Sequence, residues 1–210
     1  LTKEVTANFI SWPTVIGGVF GAEVDIPLGG VYELDIRYTS SDGVEVFAQT
    51  SFLVKDESET PSVGSPAPAS VTHTLADSQD ISHITSSPDP DPDLYQLSID
   101  EALTQDKPLV IVFATPAFCV SATCGPQVGE LTKVKAIVGD RANFIHVEVF
   151  EDPHLIENHR PTGELVPAVK EWGLPTEPWV FVVDEDGLIS AKFEQFTTAS
   201  EIEAKLLEIL

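Results

Sequence analysis

The stretch Val110-Ile-Val-Phe-Ala-Thr-Pro-Ala-Phe-Cys119-Val-Ser-Ala-Thr-Cys124-Gly-Pro126 decides the fold of this chain. It begins as an apolar run, residues 109–114, without helical spacing and rich in β-branched side chains, which predicts a buried strand. An amphipathic run with helical spacing follows Gly125-Pro126. Because proline favours the first helical position, we expect a helix to begin at Pro126. Both cysteines of the chain would then lie in the loop between strand and helix.

The spacing of the two cysteines favours a disulfide only outside a helix. Residues five apart in a helix have Cα atoms roughly 8.6 Å apart, whereas a disulfide requires roughly 4.4 to 6.8 Å. A loop that leads into the helix can close to the shorter distance. We therefore expect a Cys119–Cys124 disulfide, or a dithiol able to form one.

Strand and helix patterns alternate through the second half of the chain, from residue 96 to residue 210. Ser98-Ile-Asp-Glu101 and Thr198-Ala-Ser-Glu201 are capping boxes that begin helices. Besides the central strand, the predicted strands are 143–149, 179–183 and 188–193, and the predicted helices are 98–105, 126–138, 164–172 and 198–210. The alternation predicts an α/β domain over residues 96–210.

The strand, cysteine loop, Gly-Pro and helix together resemble the thioredoxin superfamily, over about residues 95–210. The Cys124-Gly-Pro triplet is similar to the Cys-Gly-Pro-Cys motif of that family, with Gln127 in place of the second cysteine. The resemblance implies a thioredoxin-like fold, a four-stranded mixed sheet flanked by helices. It also implies that Pro178 is a cis-proline at the start of the third core strand.

The activity that this resemblance implies is thiol–disulfide exchange. Counted from the strand, Cys119 has the position of the attacking thiol, and Cys124 would resolve the mixed disulfide. The candidate catalytic residues are therefore Cys119, Cys124 and Pro178. The candidate substrate contacts are Phe118, Glu177 and Trp179, the last of which also suits a core position.

An alternative is a purely structural disulfide in a protein that is not an enzyme. A clip closing this short loop would contribute roughly 2 kcal/mol in the chain-entropy model. Thioredoxins use a buried acid to handle the proton of the resolving thiol, and the strand 109–114 carries no such acid. Its absence favours the structural alternative. His146 and Glu148 on the next strand are the possible substitutes, or they are ordinary strand residues.

The same cysteine pair also resembles the cysteine motifs of two further protein families. Cys-x4-Cys after Thr-Pro is similar to the peroxiredoxin Q group, but Thr115 lies four residues before Cys119 rather than three. Copper chaperones of the Sco type bind copper through two cysteines and a distant histidine, for which His154 and His159 are the nearby loop histidines. We predict neither a resident metal nor a cofactor.

The first 55 residues have a β pattern. Apolar and polar side chains alternate through residues 32–39 and 44–54, and Ser41-Asp42-Gly43 between them is a hairpin signal. This segment resembles part of an immunoglobulin-like sandwich. We expect one face of each strand to be buried, and the open sheet to pair with another chain or with residues outside this sequence. An assembly module and a passive spacer both remain open.

Residues 56–95 are rich in proline, serine and acid, which predicts an extended, stiff linker whose isolated apolar residues could lie along the next domain. The predicted domains are thus 1–55, 56–95 and 96–210.

The formal charge of −23 disfavours nucleic acid and anionic membranes as partners. No apolar run approaches the ~20 residues of a membrane span, and no signal peptide is evident at Leu1, so we expect that any targeting segment has been removed. The even cysteine pair is compatible with an oxidising compartment. We predict a secreted or cell-envelope protein whose partner is a protein thiol or disulfide.

Overall fold

The structure, a computed structural model, describes residues 2–12, 17–78, 80–118, 123–157 and 160–210. The chain divides into two compact units, Leu1–Ser58 and Glu59–Leu210.

The first unit consists of two antiparallel strand pairs. The strands are β1 (Asn8–Ser11) with β2 (Gly18–Gly21), and β3 (Gly30–Thr39) with β4 (Glu45–Val54). The predicted hairpin is confirmed, since Tyr32 lies opposite Phe52 and Thr39 opposite Glu45. Its turn contains Gly43 at a φ of +83°, a conformation that glycine adopts without steric cost.

The prediction that one face of this hairpin is buried is wrong. Leu34, Ile36 and Tyr38 on the apolar face keep 42%, 43% and 50% of their surface exposed. The physical reason is that a two-stranded ribbon has no second layer of its own to pack against. Among the described residues the pairing gives two separate ribbons, so the resemblance to an immunoglobulin-like sandwich stays a prediction.

The second unit has an α/β architecture. After a stretch with only short 3-10 turns, the elements are α1 (Ile99–Ala102), β5 (Leu109–Phe113), α2 (Cys124–Val138), β6 (Asn143–Val147), β7 (Ile156–Glu157), β8 (Arg160–Pro161), α3 (Pro167–Glu171), β9 (Trp179–Val183), β10 (Ile189–Glu194) and α4 (Ala199–Leu207). Both predicted capping boxes are present, at Ser98 and at Thr198. No helix of the described ranges is long and apolar enough to cross a membrane.

Four strands form a mixed sheet in the order β10-β9-β5-β6. β5 is parallel to β6 and antiparallel to β9, and β10 is antiparallel to β9. Helices flank the sheet, and the peptide bond between Glu177 and Pro178 is cis, as predicted. The fold is the predicted thioredoxin-like α/β fold.

The core has two layers, one on each face of the sheet. Alternate residues of β5 supply both, because this central strand is completely buried. Val110 and Val112 pack towards α2 and α4, whereas Ile111 and Phe113 pack towards α1, α3 and Trp172. A strand buried on both faces explains why its sequence is continuously apolar rather than alternating.

Residues 59–95 belong to the second unit, although their composition alone predicts a solvated linker. Leu94 and Tyr95 are fully buried in the layer of α2 and α4, and Ala67 is buried in the opposite layer. The backbone of residues 64–67 also bonds to the edge strand β10 and to the turn before it, through Gly64 N–H to Ile189 O at 2.8 Å and Ala67 N–H to Gly187 O at 2.9 Å. A covered edge is protected from pairing with other chains. We refer to residues 59–95 as the strap.

Candidate functional site

The candidate site lies where β5 ends and α2 begins. The prediction that α2 starts at Pro126 is wrong by two residues: Cys124 is the first helical residue and Thr123 precedes the helix. The first four N–H groups of a helix have no partner within it, so Pro126, which lacks an N–H, costs nothing at the third position. Cys124 is therefore in the first helical turn and not in the preceding loop.

Cys124 is completely buried and disulfide-bonded. The only other cysteine of the sequence, Cys119, falls outside the described residues. Negative charge is stabilised at a helix N-terminus, where free N–H groups point outward, so a thiolate released at Cys124 would lie in a favourable field. The described part of the loop lies close to this turn. A Cβ atom added to Gly125 would be 3.4 Å from the carbonyl oxygen of Pro116.

Gln127, which stands where the motif of the family has its second cysteine, has a structural role. Its side chain is buried and forms hydrogen bonds with the segment before α4. Nε2 donates to the carbonyl of Thr197 at 3.1 Å, and Oε1 accepts from the N–H of Thr197 at 2.7 Å. The two bonds fix the first turn of α2 to the neighbouring segment.

Pro178 is placed beside the loop by the register of the sheet. Trp179 at the start of β9 lies opposite Phe113 at the end of β5, so the preceding residue adjoins the loop that leaves β5. Glu177 confirms this proximity, because its carboxylate accepts a hydrogen bond from the N–H of Thr115 at 2.8 Å.

The three candidate substrate contacts differ in their surroundings. Trp179 is buried, stacks on Phe181 at 5.7 Å between ring centroids and donates to the hydroxyl of Thr176, so it is a core residue. Glu177 is half-buried with its side chain against Thr115, and Phe118 is half-buried at the end of the described part of the loop.

Two acids beside the loop have perturbed pKa values. Burial raises the pKa of Glu177 to about 7; the N–H of Thr115 acts in the opposite direction, and the nearby charge of Glu148 raises it further. Burial also raises the pKa of Glu148, which is 4% exposed, against hydrogen bonds from Thr115, Ser86 and Val149. An acid near the loop is therefore present, although β5 itself has none.

His146 is buried and makes hydrogen bonds through both ring nitrogens. Nε2 is 3.0 Å from the carbonyl oxygen of Ala114, and Nδ1 is 2.7 Å from the hydroxyl of Tyr95. Burial lowers the pKa of His146 to about 4, with the bond to Ala114 opposing the shift. A neutral ring that donates to Ala114 and accepts from Tyr95 satisfies both contacts, so His146 anchors the end of β5.

Of the two histidines considered for copper, only His154 lies within the described residues. The ring of His154 stacks on that of His83 with 3.9 Å between centroids, and His159 is outside the described residues. No group of three or more His, Cys, Asp or Glu side chains within the described part of the chain could hold a metal ion.

The sequence patterns did not indicate Ser86, nor that Thr115 would donate a hydrogen bond to Glu177. The available signal was the position of the two acids, since Glu148 directly follows β6 and Glu177 lies two residues before β9. Both strands neighbour β5 in the sheet, so their ends on this side converge on the loop. Ser86 gave no signal, because the strap has no periodic pattern.

Several solved structures are similar to this chain. A DsbF homologue from Corynebacterium diphtheriae is 17% identical over 54% of this chain and 77% of its own, with a TM-score of 0.42. StoA from Bacillus subtilis is 14% identical over 58% and 93%, with a TM-score of 0.41. Chloroplastic thioredoxin z is 18% identical over 51% and 82%, with a TM-score of 0.39.

The order of the four strands and the flanking helices define the fold of the second unit. No protein-family profile matches the sequence, and no curated protein matches it.

Proposed function

We propose that this protein is a thiol–disulfide oxidoreductase that uses Cys119 and Cys124. The observation that carries the proposal is the disulfide-bonded Cys124 in the first turn of α2 of a thioredoxin-like fold. The cis-proline at Pro178 and the acid Glu177 border the same loop. Disulfide exchange proceeds by attack of a thiolate, and a helix N-terminus favours the thiolate form of a cysteine.

In the proposed reaction a thiolate of the substrate attacks the Cys119 sulfur of the disulfide. The bond to Cys124 breaks, and Cys124 leaves as a thiolate at the helix N-terminus, where negative charge is stabilised. A second substrate thiolate then attacks the mixed disulfide and releases the Cys119 thiolate, so the substrate is oxidised and the protein reduced. In the opposite direction Cys119 attacks a substrate disulfide and Cys124 resolves the intermediate. The burial of Cys124 suits the resolving role, because a buried sulfur is not open to the substrate.

The proposed partner is a protein with a thiol or disulfide. We place the protein outside the cytoplasm, in the cell envelope or secreted, because disulfides persist in oxidising compartments. The proposed role of the first 55 residues, as part of an immunoglobulin-like domain, is to pair with another chain.

A competing proposal is a structural disulfide in a non-enzymatic envelope or assembly protein. The complete burial of Cys124 favours it, since a buried sulfur is less accessible to an attacking thiolate. The two proposals differ in the reduction potential of the disulfide and in the ability of Cys119 to form a mixed disulfide.

The test is to equilibrate the protein in dithiol buffers and to trap substrates with Cys124→Ser. An oxidoreductase should have a potential between roughly −270 and −120 mV, and Cys124→Ser should accumulate mixed disulfides through Cys119. The matched variant Cys119→Ser should accumulate none. A potential below about −300 mV together with no trapped species would establish the structural alternative.

A further inference from the structure

Ser86 of the strap connects three segments around the candidate site. Its N–H and its hydroxyl both donate to the same oxygen of Glu148, at 2.8 and 2.7 Å. Its Oγ accepts from the N–H of Ala117 at 3.2 Å and lies 3.5 Å from the hydroxyl oxygen of Thr115. One hydroxyl thus joins the strap, the residue after β6 and the loop that leaves β5.

The strap holds Ser86 firmly enough to act as an anchor. The preceding residues Ile84 and Thr85 are buried, and Ile84 packs in the core layer of α2 and α4. The hydroxyl of Thr85 accepts from the N–H of Ser87 at 3.1 Å, which fixes the backbone on the far side of Ser86. Glu148 is buried, so its bonds to Ser86 form in a low-dielectric setting where hydrogen bonds to a carboxylate are strong.

The anchored loop is the one that continues to the cysteines. Ala117 is two residues before Cys119 in the sequence. The neighbouring residue Pro116 packs on Gly125, which directly follows Cys124 in α2. A hydrogen bond that fixes Ala117 therefore also restrains the backbone that leads to the disulfide of Cys124.

We propose that Ser86 is a positioning residue for the disulfide: with Glu148 it holds residues 115–117, after β5, in the position that they have when Cys124 is disulfide-bonded. The role of Ser86 in disulfide exchange rests on the proposed function, but its effect on the disulfide does not. Reduction by a small dithiol transfers two electrons and two protons to the disulfide, giving two protein thiols and a cyclic disulfide. Loss of the anchor should favour this reduction, because the bond from Ala117 to Ser86 is present in the disulfide form and the variant removes it from that form.

The experiment compares Ser86→Ala with Ser87→Ala in the full chain. Each protein is equilibrated with reduced and oxidised dithiothreitol, and the fraction of reduced protein is measured by thiol alkylation. In Ser86→Ala we expect the equilibrium constant to shift about tenfold towards the dithiol, which corresponds to about 30 mV for a two-electron couple. Ser87→Ala removes a hydroxyl one residue away and should stay within about twofold of the parent protein.

A double-mutant cycle tests the link through the acid. In a Glu148→Gln background, Ser86→Ala should shift the equilibrium by clearly less than in the parent protein, because the bond to a carboxylate has already been lost. Equal constants for Ser86→Ala and Ser87→Ala would overturn the proposal. If Ser86→Ala does not fold, Ser86→Gly removes the same hydroxyl and the same comparison applies.

Failure of the proposed function has a different outcome. Turnover of a protein disulfide by the parent protein tests the oxidoreductase, whereas the dithiol equilibrium requires no turnover. A protein without turnover whose constant still shifts in Ser86→Ala would refute the oxidoreductase and leave Ser86 as a positioning residue.

Discussion

At the scale of single residues, the candidate site is distinguished by ionisable groups that are buried yet hydrogen-bonded. Glu148 and Glu177 approach the loop after β5 from the ends of two different strands, and each accepts hydrogen bonds there. His146 is the opposite case, a base kept neutral by burial. These groups make the stability of the second unit depend on pH in ways whose signs can be worked out.

The pH dependence of Glu177 should appear as a stability difference from Glu177→Gln. The pKa of Glu177 is about 7 in the folded chain, against an ordinary value of 4.5 for a glutamate carboxyl. Between these values the folded chain holds a proton that the unfolded chain has lost, so stability falls as pH rises through this window. Between about pH 5 and about pH 8, Glu177→Gln should therefore gain about 1 kcal/mol relative to the parent protein, after allowance for solvent screening at a half-buried group.

The measurement is urea unfolding of both proteins across that range. His146 acts in the opposite direction, because its pKa falls from 6.5 to about 4 and its contribution is lost on acidification. Glu148 acts in the same direction as Glu177. His146 and Glu148 are both retained in the variant, so most of their effect cancels in the difference between the unfolding free energies of the two proteins. A difference that does not change with pH would contradict the raised pKa of Glu177.

Gln127 should matter for stability rather than for chemistry. Gln127→Ala leaves the N–H and carbonyl of Thr197 without side-chain partners in a buried place, which should destabilise the protein by about 1–3 kcal/mol. Gln96→Ala is the matched control, because Gln96 is at the surface and makes one bond, to the carbonyl of Pro92. Denaturant midpoints that are equal for the two variants would show that the tether contributes nothing.

At the scale of elements, the boundaries depend on contacts that sequence patterns express only in part. The capping boxes at Ser98 and Thr198 were predictable because their bonds are local, between residues three apart. The start of α2 was not, because Pro126 is acceptable at any of the first helical positions. The strap is held by individual bonds to β10 and α3, and such bonds leave no periodic trace in the sequence.

Two glycine substitutions with opposite effects test how the strap packs on α3. Gly173 follows α3 at a φ of +61°, and a Cβ there would lie 2.2 Å from the carbonyl oxygen of Glu59 in the strap. Gly129 is within α2 and has nothing within 4 Å of its Cβ position. Gly173→Ala should therefore destabilise the protein by about 2 kcal/mol or more through strain and displacement, and Gly129→Ala should stabilise it by about 0.5–1 kcal/mol.

Thermal or urea unfolding of both variants measures these changes in stability. A Gly173→Ala protein as stable as the parent would mean that Glu59 does not pack closely on the end of α3.

At the scale of the whole molecule, the second compact unit includes the strap. Leu94 and Tyr95 are fully buried in the layer of α2 and α4, and Ser86 reaches the loop of the candidate site. The second compact unit, residues 59–210, is therefore longer than the 96–210 segment that the α/β pattern marks.

Truncation should separate the two definitions of the domain. Residues 59–210 should unfold cooperatively, whereas residues 96–210 should not, because loss of Ile84, Leu94 and Tyr95 opens the core at about 2–5 kcal/mol for each large side chain. That sum is comparable to the whole stability of about 5–15 kcal/mol of an ordinary domain. Circular dichroism melts would contradict this expectation if residues 96–210 unfolded as cooperatively as residues 59–210.

The sequence by itself determined the α/β class, the strand and helix order, the capping boxes, the hairpin and, through a family resemblance, the cis-proline. These features depend on interactions between residues close together in the sequence, or on periodic patterns of apolar residues. Only the tertiary structure decided that Cys124 lies within the helix, that Gln127 is a tether, that the strap is core and that Ser86, Glu148 and Glu177 converge on one loop. The bonded partners are far apart in the sequence: 62 positions for Ser86 and Glu148 and for Thr115 and Glu177, and 70 positions for Gln127 and Thr197. Their contacts exist only once the sheet has brought the strand ends together.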